Sequence, residues 1–166
     1  MERKRNRTGR TILISLLLLF IAAQFVQPPH NNGVATGPED ITQVVMVPPD
    51  VMGLLIRSCY DCHSDYTKYP WYDYIFPVNW WITNHINDGK HELNFTHFAK
   101  YSAKKQSKKL EESAEQVEKH EMPLKSYLIT HTEAKLTDAE RQILIQWAKS
   151  AAGGEQNKAE QSEPKP

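Results

Sequence analysis

Two cysteines and a histidine lie within five residues of each other, in the stretch SCYDCHS at residues 58–64. Cys59 and Cys62 are the only two cysteines of the chain, and His63 follows the second directly. Two intervening residues place both thiols near one helical turn, where they can add to the two vinyl groups of one haem. The adjacent histidine then lies beneath the ring. The spacing predicts one covalently attached haem c with His63 as the proximal iron ligand.

Other uses of the two thiols stay open at this point. A disulfide fits an oxidising compartment but gives His63 no role. A structural zinc site usually takes four protein ligands, and the remaining histidines do not form the compact pair that such sites contain. A thioredoxin-like dithiol belongs in a βαβ unit, whereas the surrounding pattern is helical. Haem attachment is the use that gives all three residues a role.

A haem iron held by a histidine often takes a methionine or a second histidine on its other face. Met122, in HEMPLKSY, precedes a proline in a loop before the last predicted helix. Met52 shares a helix with the cysteines, about 10 Å away along its axis, and cannot reach the opposite face. We therefore expect Met122 as the distal ligand, with His85 as the alternative. The order CxxCH, long middle segment, Met-Pro and final helix is that of a small cytochrome c.

Hydrophobic periodicity predicts three helices that position these residues. The first follows two prolines, with Asp50 as its N-cap, and delivers the cysteines. The second lies within residues 97–119. The third begins at a capping box of Thr137 and Glu140 and is expected to end at Gly153. Since no stretch alternates long enough to indicate a strand, the predicted fold is all-α, a small cytochrome c-like helical domain with long loops.

An aromatic block fills residues 66–81, which read YTKYPWYDYIFPVNWW. Such a density of aromatic rings suits the wall of a pocket for a large flat cofactor. An ordinary aromatic core would have nearly the same sequence.

The beginning of the chain has the pattern of an export signal or a signal anchor. Arg3, Lys4 and Arg5 precede an apolar run at residues 12–26. A cleaved signal stays open, but the small-residue cleavage pattern is poor, so we expect an uncleaved N-terminal membrane-anchor helix. The localisation predicted from it is the bacterial inner membrane, with a single N-terminal span and the haem domain in the periplasm.

Composition divides the whole chain into four segments. We predict a signal anchor at residues 1–27, a Pro-, Gly- and Asn-rich linker at 28–46, a haem-binding cytochrome c-like domain at 47–151 and a disordered tail at 152–166. The formal net charge is +0, and the exported part is mildly acidic. Nucleic acid, which requires a basic face, is therefore not an expected partner.

Several motifs together resemble a known family: CYDCHS, YPWY, WW, HINDGKHELNF and MPLKSY, followed by LTDAERQILIQWA. They look like the small haem-binding domain family of bacterial envelope proteins, over about residues 47–150. The resemblance implies a cytochrome c-like helical fold with one covalent haem on Cys59, Cys62 and His63. It also implies occurrence beside cytochrome c and dihaem peroxidase modules. The final segment is similar to the Met loop and last helix of class I cytochromes c, which favours Met122.

These observations predict a monohaem electron carrier of the cell envelope. They favour a carrier over an enzyme and assign no catalytic residue. Its expected partners are redox proteins of the envelope, and the membrane through its N-terminal helix. The alternative is a haem-based peroxidase or a gas or redox sensor with an open iron site.

Overall fold

The computed structural model describes residues 7–162, with side chains through residue 154. Regular structure in this range is helical, apart from one isolated bridge between Asn32 and Tyr66, which confirms the all-α prediction. The α-helices described are α1 Arg7–Ala23, α2 Pro49–Ser58, α3 Tyr60–His63, α4 Val78–Glu92, α5 Ala103–Glu118, α6 Tyr127–Thr130 and α7 Asp138–Ser162. Short 3₁₀ segments lie at Ile41–Gln43, Trp71–Tyr74, Phe95–Lys100 and Thr132–Ala134.

The chain forms two compact units. The first contains the residues up to His30 and the segment Lys68–His85. The second contains Asn31–Thr67 and the residues from Ile86 onward, so it is discontinuous in sequence.

In the first unit, two glutamines after α1 hold the aromatic segment. The Gln24 side chain accepts a hydrogen bond from the backbone N–H of Phe76 at 2.9 Å. The Gln27 amide donates to the carbonyl oxygen of Tyr74 at 3.1 Å and accepts from the Asn79 amide at 2.8 Å. The turn after α1 and the aromatic segment are thus joined by side-chain amides.

In the second unit, α5 packs mainly along α7, and α2 packs against α3 and α7. The core also includes Ile41 and Val45, from the segment 28–46 that the sequence predicts to be a linker. The remaining buried core residues are Val51, Leu54, Leu55, Tyr60, Leu93, Phe95, Phe98, Leu110, Ala114, Val117, Leu144, Ile145, Ala148 and Ala152.

The predicted membrane span is wrong. Within residues 7–162, the structure contains no helix that is both long and apolar enough to cross a membrane. α1 has 17 residues. At about 1.5 Å per residue it is about 25 Å long, against about 30 Å for the hydrocarbon core of a bilayer. The inner-membrane localisation rested on this span and is corrected with it. Arg3, Lys4 and Arg5 lie outside the described residues.

Two predicted helix ends also differ from the structure. The N-cap of α2 is Pro48, and Asp50 lies inside the first turn, where its charge still complements the helix dipole. α7 does not end at Gly153 but continues to Ser162, because no described glycine has the positive φ that terminates a helix. The predicted tail at 152–166 is therefore helical as far as it is described, and residues 163–166 lie outside that range.

The predicted start of α7 is confirmed. The Glu140 carboxylate accepts from the backbone N–H of Thr137 at 2.8 Å, and the Thr137 hydroxyl accepts from the N–H of Glu140 at 3.2 Å. This reciprocal pair is a capping box.

Candidate functional site

The CxxCH motif forms one helical turn directly after α2. α2 ends at Ser58 because Cys59 leaves the helical backbone, with a φ of −130°. The carbonyl oxygen of Cys59 accepts from the N–H groups of Cys62 at 3.2 Å and His63 at 3.0 Å. The two thiols and the imidazole therefore start from a single tight turn, as their spacing predicts.

Tyr60 and Asp61, the two residues between the cysteines, connect this turn to the rest of the second unit through hydrogen bonds. The Tyr60 hydroxyl donates to the buried Asp40 carboxylate at 3.0 Å, and its ring stacks on Phe95 with centroids 5.1 Å apart. Burial, followed by the Asp40 charge, raises the pKa of Tyr60, so the hydroxyl remains a donor. On the other side, the Asp61 carboxylate accepts from the Tyr127 hydroxyl at 2.8 Å.

The imidazole of His63 is fixed by two backbone carbonyls. Its Nδ1 atom lies 2.9 Å from the carbonyl oxygen of Gly89 and 3.0 Å from that of Leu93. Carbonyl oxygens only accept, so Nδ1 carries the proton and Nε2 carries the lone pair. Burial lowers the pKa of His63, outweighing the two hydrogen bonds, which act in the opposite direction. A neutral imidazole with a fixed Nε2 lone pair is the form that ligates metals.

Cys59, His63 and Met122 line one cavity of about 520 Å³ in the second unit. This volume is within the range of about 300–1,000 Å³ usual for small-molecule and cofactor sites. Its other lining residues are Leu55, Glu92, Leu93, Phe95, Lys109, Leu110, Glu112, Ser113, Glu115, Gln116, Val117, Leu144, Trp147 and Ala148. Cys62 is half-buried on the same turn as Cys59.

The end of α5 delivers Met122 to this cavity. The N–H of His120 donates to the Val117 carbonyl at 3.2 Å, and that of Glu121 donates to the Gln116 carbonyl at 3.0 Å. With His120 at a φ of 57°, this is a Schellman motif, which ends a helix abruptly. The N–H of Met122 also reaches the Gln116 carbonyl, at 3.2 Å.

A cation from α7 fixes the same loop. Nη1 of Arg141 donates to the Val117 carbonyl at 2.8 Å and contacts that of Met122 at 3.4 Å. The Met122 side chain, partly buried against the core, is thus held on the wall of the cavity.

His85, the alternative distal ligand, belongs to the first unit. Its Nδ1 lies 2.8 Å from the carbonyl oxygen of Trp81, and the ring centroids of His85 and Trp81 are 4.5 Å apart. The aromatic residues in the cavity wall are Phe95 and Trp147. The block 66–81, for which the sequence leaves a pocket wall and an ordinary aromatic core both open, supplies none of the residues that line this cavity.

Both cysteines carry reduced thiols in this structure. Burial, with a smaller contribution from Cys62, raises the pKa of the Cys59 thiol to about 12. In residues 7–162 no group of three His, Cys, Asp or Glu side chains could hold a metal ion, so zinc finds no ligand set in that range. The donors present fit haem instead: two thiols, an imidazole nitrogen and a thioether sulfur, beside an apolar wall.

The model of a family described as a haem-binding domain matches residues 18–150. This chain belongs to that haem-binding domain family. No curated protein and no solved structure matches it. The match begins within α1 and includes the segment 28–46, in agreement with the burial of Ile41 and Val45. The protein is therefore a haem-binding protein.

Sequence reasoning missed much of the cavity wall. The residues 97–119 are expected to form an exposed helix with a thin apolar stripe, yet one polar side of α5 lines the cavity. Lys109, Ser113 and Gln116 share one side of the helix, but polar residues at this spacing are equally typical of an exposed face. Gly89, inside α4, was a usable signal, because a glycine in a helix often marks a close approach of another backbone.

Proposed function

We propose that this haem-binding domain holds one haem c through Cys59 and Cys62, with His63 and Met122 as the iron ligands, and carries single electrons between redox partner proteins. The observation that carries the proposal is the His63 imidazole, whose Nδ1 donates to the carbonyls of Gly89 and Leu93 while the ring lines the cavity.

That arrangement supports a proximal ligand for a physical reason. Hydrogen bonding at Nδ1 fixes the tautomer and the ring plane and makes Nε2 a stronger base. Since the acceptors are backbone carbonyls of one short stretch, the orientation does not depend on a mobile side chain. Bound haem supplies the one-electron redox chemistry, and the residues supply its position and a largely apolar surrounding.

Covalent attachment needs no added oxidant or reductant. Each thiol would add across the double bond of a vinyl group, its sulfur bonding to the inner carbon and its hydrogen to the outer one. The turn of CxxCH supports this reaction at both cysteines, since Cys59 and Cys62 are held within one hydrogen-bonded loop.

Met122 is supported as the distal ligand by its place on the same cavity wall and by the Schellman motif and Arg141 that hold its backbone. A six-coordinate iron in both oxidation states suits an electron carrier, and a Met ligand raises the reduction potential relative to a second histidine. The cytochrome c-like fold belongs to the same proposal.

The test is the visible spectrum and the mass of the full chain, produced with an added export signal in a host that attaches haem c. We expect haem that survives denaturation, a low-spin spectrum and the weak long-wavelength band of Met-bound ferric iron. His63→Ala should abolish the low-spin spectrum, whereas His91→Ala, at an exposed histidine, should not. A high-spin wild-type spectrum would contradict the electron carrier and support an open iron site for peroxide or a gas.

A further inference from the structure

α5 presents two stripes of different character to the second unit. Leu110 and Val117 are buried in the core. Beside them, Lys109, Ser113 and Gln116 form a polar stripe at spacings of four and three residues, and all three line the cavity.

Lys109 is unusually buried for a lysine. Its side chain is 15% exposed, whereas that of Lys108 is 71% exposed. The Lys109 Nζ atom lies 2.8 Å from Glu112 and 3.4 Å from Glu92. The hydrogen bond to Glu112 raises the pKa of Lys109, so the ammonium stays charged. A lysine normally extends its charge into water, whereas the Lys109 side chain lies along the cavity wall. An ammonium group has three N–H donors, so Lys109 can pair with Glu112 and Glu92 and still donate to a further anion in the cavity.

We propose that Lys109, with the side-chain amide of Gln116, is the binding subsite for the carboxylate groups of haem. The inference rests on the proposed function, because it concerns the same cavity. Haem is an apolar plate with two carboxylates on one edge and its vinyl groups on the opposite one. A cavity with thiols, apolar walls and a cationic stripe matches these three parts. The Ser113 hydroxyl already donates to the Lys109 carbonyl at 2.7 Å, which leaves Lys109 and Gln116 as the donors of the stripe.

Among the described residues that line the cavity, Lys109 is the one lysine or arginine. Glu92, Glu112 and Glu115 also line it, and their carboxylates repel those of an incoming haem. A charge-assisted hydrogen bond from the Lys109 ammonium offsets this repulsion, and the low exposure of the side chain limits screening by water.

The experiment compares two ligands on the haem-free, reduced full chain, made in a host that does not attach haem c. Ferric haem and its dimethyl ester are titrated, and their dissociation constants are measured by absorption. Wild type should bind haem about tenfold or more tightly than the ester, the effect of one charge-assisted hydrogen bond. Lys109→Met should bring this ratio close to one, and Lys109→Arg should retain it. Lys108→Met is the matched control, since Lys108 pairs with the same Glu112 at 3.5 Å but is exposed; it should keep the wild-type ratio.

Two results would overturn the subsite: equal affinities for haem and ester in wild type, or an unchanged ratio in Lys109→Met. If Lys109→Met fails to fold, Gln116→Leu tests the second donor. A haem-to-ester affinity ratio in Gln116→Leu equal to that of wild type would contradict the role of Gln116 in the subsite. Failure of both ligands to bind wild type contradicts the proposed haem cavity itself, which distinguishes that failure from failure of the subsite.

Discussion

Gly89 lies directly against the backbone of Cys62: a Cβ atom built on Gly89 would be 2.7 Å from the carbonyl oxygen of Cys62. The carbonyl of Gly89 itself accepts from Nδ1 of His63 at 2.9 Å. One residue of α4 thus sets both the closeness of the CxxCH turn and the orientation of its imidazole. Glycine is required there because the obstacle is main chain, which cannot rotate away as a side chain can.

Gly89→Ala should therefore separate α4 from the CxxCH turn. We expect a loss of about 1–3 kcal/mol in the free energy of unfolding, the usual cost of overpacking, and a weaker His63 ligand field in the haem-bound spectrum. Urea unfolding followed by circular dichroism measures the first effect. Gly53→Ala is the matched control, because a Cβ at this exposed position of α2 meets nothing within 4 Å. It should stabilise the protein by about 0.5–1 kcal/mol through helix propensity.

Met122→Ala should remove the distal ligand of the proposed carrier. The ferric spectrum should lose its long-wavelength band, and the reduction potential should fall by about 100 mV or more, because a Met thioether favours ferrous iron. Voltammetry and absorption measure both. His85→Ala addresses the rival assignment: if this variant, and not Met122→Ala, changes the spectrum, His85 is the ligand.

Tyr60→Phe should leave the buried Asp40 carboxylate without one of its donors. Asp40 keeps the backbone N–H and hydroxyl of Thr42, at 3.0 and 2.8 Å, but both bonds are to its other oxygen. We expect a loss of about 1–3 kcal/mol in the free energy of unfolding. Tyr66→Phe removes a hydroxyl from a ring that is 47% exposed and should have little effect. Equal stabilities of the two variants would show that the Asp40 contact contributes nothing.

Glu140 should contribute to the resistance of the fold to acid. Its hydrogen bond from the Thr137 backbone, and then its pairing with Arg57, lower the pKa of Glu140 to about 2. A carboxylate with a depressed folded-state pKa stabilises the protein above its unfolded pKa, about 4.3. It loses that contribution as the pH falls through the folded value.

Glu140→Gln should accordingly unfold more readily at neutral pH, and its stability should fall less steeply between about pH 4.3 and 2. Thermal unfolding at a series of pH values gives this slope. Glu121→Gln, at an exposed side chain, should retain the wild-type slope; the prediction fails if Glu140→Gln does as well.

Local chemistry made part of this fold predictable. The CxxCH turn and the Thr137 cap depend on residues within one turn of each other, so their types and spacing suffice. The burial of Ile41 and Val45 could not be predicted from the sequence, since a 3₁₀ segment of three residues is too short to show a helical period. α5 ends at Glu118, within the predicted range 97–119, and is followed by a positive φ at His120, whereas α7 continues through Gly153, where its end was predicted.

The sequence predicts the CxxCH turn of the site but not the walls of the cavity beside it. Cys59, Cys62 and His63 carry their own signature. The carbonyls of Gly89 and Leu93, which orient the imidazole, leave no trace in side-chain types because the donor meets main chain. Lys109 is of a residue type usually found on the surface, and its position on the cavity wall follows from the placement of α5 in the fold.

The cavity takes one wall from α7, through Leu144, Trp147 and Ala148. During synthesis these residues leave the ribosome roughly 80 residues after the second cysteine, and the parts of a chain made first are free to react before the last are present. Until α7 packs against α5, the cavity lacks this wall and is more open at Cys59. A bulky reactant should therefore reach the partly buried Cys59 more easily before α7 packs than afterwards.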